Sequence, residues 1–141
     1  MTPVDAVCDA LETLAPLRLA GSWDNVGLLI RGAREVTRAA LCIDLTEEVL
    51  DEVEAVGADL VVAYHPTVFG GLKRLADRTP TERVVARLLR AGVSVYSPHT
   101  ALDAVTGGVA DWLGEGLGPL VHVRPIAPDP ATPDQGAGRL G

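Results

Sequence analysis

At 141 residues the chain is long enough for one domain with a core of its own, and a hydrophobic fraction of 48 % is ordinary for a globular protein. Twelve basic against nineteen acidic residues leave a net charge of −7, which weighs against the basic face needed for non-specific binding to nucleic acid or anionic membrane. Aromatic residues make up only 4 %, so the core must be built mainly from Ala, Val and Leu. No apolar run approaches the ~20 residues of a membrane-spanning helix.

Cys8 and Cys42 lie far apart in apolar contexts and read as free thiols in a reducing compartment, with no CxxC metal motif. The start, MTPVDAVCDALETL, carries acids early and lacks the basic opening of a signal peptide, so the expected localisation is cytoplasmic.

The first predicted element is a helix over residues 2–14. Thr2 is placed to cap it, Pro3 suits the first helical position, and Asp5 sits at the positive end of the helix dipole. Val4, Val7, Cys8 and Leu11 recur at i, i+3, i+4 and i+7 and form one apolar stripe. After a turn opened by Gly21 and Ser22, VGLLI at 26–30 reads as a strand. RAALCI at 38–43 reads as a second, and its apolar run predicts a buried one.

LTEEVLDEVEAVG at 45–57 predicts a helix with Thr46 as N-cap, Glu47 and Glu48 in the first turn and Gly57 as the stop. DLVVA at 59–63 is the third strand. RTPTERVVARLLRAG at 78–92 carries the fullest set of helix signals: Thr79 with Glu82 as a capping box, Pro80 at the first position and Gly92 at the end. VSVY at 93–96 is the fourth strand, and TGGVADWLGEGLG at 106–118 a helix weakened by its glycines. Alternating strands and helices imply an α/β domain with a mostly parallel sheet flanked by helices. Residues 119–141 contain five prolines and three glycines without an amphipathic period. They read as an extended arm following a domain at 1–118.

Ligands of open parallel sheets gather at the carboxyl ends of strands. His65, in AYHPTVFG, lies two residues past the third strand; His99, in YSPHTALDA, lies three past the fourth, with Asp103 four residues further on. A lone histidine there is better explained as a polar loop residue. Two imidazoles and a carboxylate at matching strand exits suit a divalent transition metal. Pro66 and Pro98 stiffen the two exits. Tyr64 alternates with His65 and belongs on the other face, unless the strand has already ended.

His122, in the arm, has no partner nearby and reads as structural or solvated. Trp23, Asp24 and Asn25 form either a cleft wall or a turn held by side chains bonding backbone, and the turn is the preferred reading. Asp44 either hydrogen-bonds a ligating histidine or metal-bound water, or caps the following helix. Lys73 and Arg74 read as a solvated pair rather than phosphate contacts. Gly107 and Gly108 are as readily a tight turn as an anion-binding helix start.

SWDNVGLLI, LCIDLTEEVLDEV, GADLVVAYHP, VYSPHTALDA, GGVADWLGEGLG and GAGRLG, in that order, resemble the Nif-three-like family over residues 2–141. Its members are also known as GTP cyclohydrolase 1 type 2 homologues or dinuclear metal-centre proteins. Tyr-His-Pro and HTALDA look closer to its animal branch than to its bacterial His-His form. The resemblance implies the first half of a two-lobed α/β fold with divalent metal ions (Zn, Fe, Mn or Ni) in a cleft. It implies His65 and Asp103 as ligands and His99 as a ligand or the partner that orients one.

Tyr64 stands where the family has the first His of a pair. A phenol titrating near ~10 is a poor ligand at neutral pH, which leaves one metal position short of a donor. The family's other ligands, a His and a Glu one helical turn apart in a C-terminal half, have no counterpart here, since no H-x-x-x-E occurs. The function implied is a metal-dependent hydrolase acting on a nucleotide, GTP cyclohydrolase type 2-like and incomplete in this chain, with no catalytic residue assigned. The alternative is a metal-binding or protein-interaction module without turnover. A homo-oligomer, a protein partner or the missing half are the associations expected, and direct nucleic-acid binding is not.

Overall fold

The computed structural model describes residues 1–141. Four strands, β1 (Gly27–Ile30), β2 (Ala39–Cys42), β3 (Leu60–Ala63) and β4 (Ser94–Ser97), form one sheet in the order β1-β4-β3-β2. β2 and β4 both run parallel to β3, with Val62 opposite Tyr96, while β1 pairs antiparallel with β4. The mostly parallel sheet expected from the alternation of elements is therefore present, with one antiparallel edge.

Helices cover the sheet unequally. Alternation along β3 sends Val61 and Ala63 to one face and Leu60 and Val62 to the other. On the first face they pack with Val95 against α2 (Glu47–Ala55) and α3 (Pro80–Ala91) through Leu50, Val53, Val84, Val85 and Leu88. On the second, Leu60 and Tyr96 meet Val4, Val7, Cys8 and Leu11 of α1 (Val4–Leu14), the predicted apolar stripe. Burying each such aliphatic side chain contributes about 2 kcal/mol.

The caps show which local signals decide the helices. Thr46 Oγ1 accepts from Val49 N, and Gly57 follows α2 at φ 65°. Thr79 Oγ1 accepts from Glu82 N, and Gly92 closes α3 at φ 69°. The Glu82 carboxylate reaches past the expected Thr79 N–H to the N–H groups of Arg78 and Ala76. Thr2 does not cap α1. Its backbone exchanges hydrogen bonds with Val36, which holds it extended, and Pro3 takes the cap position.

Two further expectations change. β2 is not buried: it is an edge strand, with Ala40 and Cys42 against the larger core and Leu41 80 % exposed. An apolar run cannot tell a central strand from an edge strand whose outer face lacks a covering helix, and α1 lies across β1, β4 and β3 rather than β2. The helix expected at 106–118 is shorter, α5 (Val109–Glu115), because Gly107 at φ 74° forms a turn before it; a further short helix not expected from the sequence, α4 (His99–Ala104), precedes that turn.

The segment 119–141 is extended but turns back on itself. β5 (Ala127–Pro128) pairs antiparallel with β6 (Gly136–Ala137), and Arg124 bridges Leu140. Arg139 fixes this hairpin to the domain through the Asp111 carboxylate and the carbonyls of Ala104 and Val105. The longest helix has 12 residues, and none is long and apolar enough to cross a membrane.

Candidate metal centre at the sheet edge

The parallel pairing of β3 and β4 brings both strand exits to one rim. β3 ends at Ala63 and delivers Tyr64 and His65; β4 ends at Ser97 and delivers His99 and α4. The exits are stitched to their neighbours: the Ser97 hydroxyl donates to Tyr64 O, and His65 N–H donates to Ile43 O beyond β2.

At the β4 exit, Pro98 leads into His99 at φ 31°, a left-handed conformation that a β-carbon disfavours. Asp24 compensates. Its side chain is fully shielded, and it accepts from Thr100 N (3.2 Å), Thr100 Oγ1 (2.5 Å), Asn25 N (2.7 Å) and His99 Nδ1 (2.8 Å). Burial alone would raise its pKa, but these donors, led by the Thr100 hydroxyl and His99, outweigh it and hold the carboxyl below its ordinary value.

At the β3 exit, His65 Nδ1 lies 2.8 Å from Asp44 Oδ1, at the surface. Of the two roles open to Asp44, the structure realises the one that orients a histidine, while Thr46 caps the helix. A carboxylate can only accept, so each Nδ1 carries its proton toward its Asp. Nε2 of each ring makes no hydrogen bond, and in the Nδ1–H tautomer it is the atom that carries the lone pair. Pairing of this kind fixes tautomer and orientation in metal-binding histidines. The ring centroids of His65 and His99 are 5.5 Å apart.

Tyr64 joins the same rim. Because the strand ends at Ala63, no sheet separates its ring from that of His65, and the centroids lie 5.0 Å apart. Its hydroxyl donates to Asp103 Oδ1 at 2.5 Å. Burial, the hydrogen bond to Asp103 and the nearby negative charge all push the phenol pKa upward, so Tyr64 is a neutral donor at physiological pH. Asp103 keeps Oδ2 without a hydrogen bond.

Of the sequence candidates, His65, His99 and Asp103 thus share one rim, tied together by the Tyr64 ring. They do not close into a ready ligand cage: nowhere do three His, Cys, Asp or Glu side chains stand in metal-holding geometry. The donor chemistry fits a divalent ion in kind, with two oriented imidazoles and one free carboxylate oxygen, and falls short of a closed tetrahedral set.

His122 is exposed and makes no side-chain contact with the rim, and Lys73 and Arg74 are exposed. Asp24 is the residue whose role the sequence reading missed, since its imidazole partner lies 75 positions away. Two clefts flank the rim. One of about 400 Å³ is bordered by Asp44, Thr46, His65 and Thr81, and one of about 360 Å³ by Trp23, Thr100 and Asp103.

The chain has relatives. The human NIF3-like protein 1 is 45 % identical over 139 residues, covering 96 % of this chain and 37 % of the human one. The Drosophila melanogaster NIF3-like protein 1 is 43 % identical over 137 residues, covering 95 % and 47 %. The chain thus spans less than half the length of these curated relatives. Among solved structures, a Bacillus cereus protein related to NIF3 superposes with a TM-score of 0.79 at 31 % identity, covering 89 % of this chain and 34 % of that one. Reduced HcgD from Methanocaldococcus jannaschii superposes at 0.78 and 26 %, covering 89 % and 50 %. The Duf34/NIF3 (NGG1p interacting factor 3) family model matches residues 2–141, taking in both strand exits and the C-terminal hairpin, and the chain belongs to that family.

Proposed function

We propose that the rim formed by His65, His99 and Asp103 binds a divalent transition metal and serves a hydrolase acting on a nucleotide, of the GTP cyclohydrolase type 2-like kind. The observation that carries this reading is the pair of Asp–His dyads with both Nε2 atoms free and the rings 5.5 Å apart. Such an ion, when bound, supplies Lewis acidity and a more acidic water at neutral pH.

The chain's own residues do the rest. Asp24 and Asp44 hold the imidazoles in the Nδ1–H tautomer. Tyr64 donates to Asp103 Oδ1 and leaves Oδ2 for the ion. No group here is assigned as general acid or base. With two imidazoles and one carboxylate, the remaining donors come from solvent or from outside this chain. The relatives are more than twice as long as the matched segment, so a C-terminal half or a second copy in a homo-oligomer is the proposed source.

Zinc and manganese titrations followed by calorimetry test the metal reading. His65→Ala and His99→Ala are expected to weaken binding at least about tenfold, as loss of a ligand does, while His122→Ala leaves it unchanged. Equal effects at His65 and His122 would remove the assignment.

A second reading, a regulatory interaction module without turnover, draws support from the bare apolar strip on the outer strand, where Leu41 and Ile43 are 80 % and 65 % exposed. GTP ring-opening measured with added metal, for this chain and for a version extended by a C-terminal half, separates the two. Turnover in neither favours the module.

A further inference from the structure

The chain has few large aromatic side chains: two tryptophans, two tyrosines and one phenylalanine. Three of these five gather at the rim. Trp23 and Phe69 stand with ring centroids 6.2 Å apart, Trp23 meets His99 edge-on at 6.3 Å, and Tyr64 meets His99 at 5.7 Å. Tyr64 is half-buried, but Trp23 is 65 % and Phe69 55 % exposed. Keeping both in water forgoes the burial that such side chains supply elsewhere.

The pair is also held in place. Asn25 Nδ2 donates to Val68 O at 2.5 Å and ties the Trp23 loop to the Phe69 loop. Shielded Asp24, next to Trp23, anchors that loop to α4. Gly21 leaves room for the indole: a β-carbon there would sit 2.9 Å from Trp23 Cε2 and Nε1. Trp23 borders the cleft of about 360 Å³ that also reaches Thr100 and Asp103. That is room for one small ring-bearing molecule.

We infer that Trp23 and Phe69 are specificity-determining residues that receive a flat, unsaturated heterocyclic ring of the ligand and set it beside His99 and Asp103. The inference rests on the reading of this rim as a substrate-handling site and adds which part of the molecule is recognised and by what. Stacking is tolerant of ring identity, because every flat heterocycle offers a π face, so this surface selects for a ring rather than for one base.

The test uses the full chain in a Trp112→Phe background, so that Trp23 is the sole tryptophan. Guanosine 5′-monophosphate is titrated against ribose 5-phosphate, which lacks the ring, with quenching of Trp23 emission as the readout. Saturable quenching by the nucleotide is expected, with ribose 5-phosphate binding at least about tenfold more weakly. By calorimetry, Trp23→Leu and Phe69→Leu should each lose about tenfold in nucleotide affinity, the loss typical of a removed stacking ring. Trp23→Phe, which keeps a ring, should recover most of it.

Zinc titrations on the same variants should match wild type, so that failure of the ring surface is told apart from failure of the metal rim. Ribose 5-phosphate binding as tightly as the nucleotide would overturn the inference. So would leucine variants that bind the nucleotide like wild type. Light scattering in which Trp23→Leu abolishes self-association without touching nucleotide binding would assign the pair to a protein contact instead.

Discussion

The two dyads at the rim share residue types and the same 2.8 Å separation between Nδ1 and Oδ1, yet they sit in opposite surroundings. The Asp24 side chain is 0 % exposed and has four donors around it, whereas that of Asp44 is 64 % exposed and has His65 alone. A screened surface pair is worth about 0–1 kcal/mol, because water competes for both partners and ordering the side chains costs entropy. A shielded carboxylate cannot turn to water, so removing it strands its donors as well. Distance alone therefore does not rank such pairs. Asp24 orients His99 and also holds a loop and a strained backbone, while Asp44 orients His65 and does little else.

Breaking the buried dyad should have the largest effect. Asp24→Ala is expected to cost about 3 kcal/mol, since Thr100, Asn25 and His99 all lose their acceptor, as read from urea unfolding at pH 7. The same residue predicts an acid limb. Its folded pKa lies below the unfolded value, so its contribution is complete above the ordinary carboxylate range of ~3.9 and disappears as pH falls through the folded value. Asp59, held down by the Thr37 hydroxyl and by backbone N–H groups, acts in the same direction. Unfolding curves from pH 5 to pH 2 should therefore fall steeply for wild type and less steeply for Asp24→Asn; parallel limbs would contradict the burial argument.

A change at the centre of the rim comes next. Tyr64→Phe removes one hydrogen bond to a half-buried carboxylate, for about 1 kcal/mol of stability. It also frees Asp103 Oδ1, so zinc affinity should stay level or rise. A fall in affinity would make the phenol oxygen itself a ligand. Asp44→Ala should change stability by less than about 0.5 kcal/mol while loosening His65, visible as weaker zinc binding without a shift in the unfolding midpoint.

The smallest effect lies in the core. The Tyr96 hydroxyl is buried without a hydrogen-bond partner, and burial pushes its pKa up to about 12. Tyr96→Phe should be neutral or slightly stabilising, and a large loss would reveal an unseen partner.

The contrast between the dyads also explains what could be read from the sequence. That His65, His99 and Asp103 come to one rim is legible because strand ends are, and because parallel neighbours deliver their exits to one side. Asp44 was half legible, since it follows a strand on the same edge. Asp24 was not: a short carboxylate beside an aromatic residue in a turn looks the same whether it bonds its own backbone or an imidazole 75 positions away. Tyr64 obeyed alternation only as far as the strand lasted, and β3 stops one residue before it. The burial of β2 was misjudged for a related reason, because hydropathy records what a strand can bury and not whether a helix lies over it.

Both imidazoles turn Nδ1 toward an aspartate and leave Nε2 without a hydrogen bond, the arrangement that the proposed ion requires. Long-range proton–nitrogen correlation spectra of the histidine rings measure this directly, at neutral pH and during zinc addition. His65 and His99 are expected in the Nδ1–H tautomer, with zinc-dependent shifts of both Nε2 resonances and His122 unmoved. Nε2–H tautomers at either residue, or zinc shifts at His122 equal to those at the rim, would contradict it.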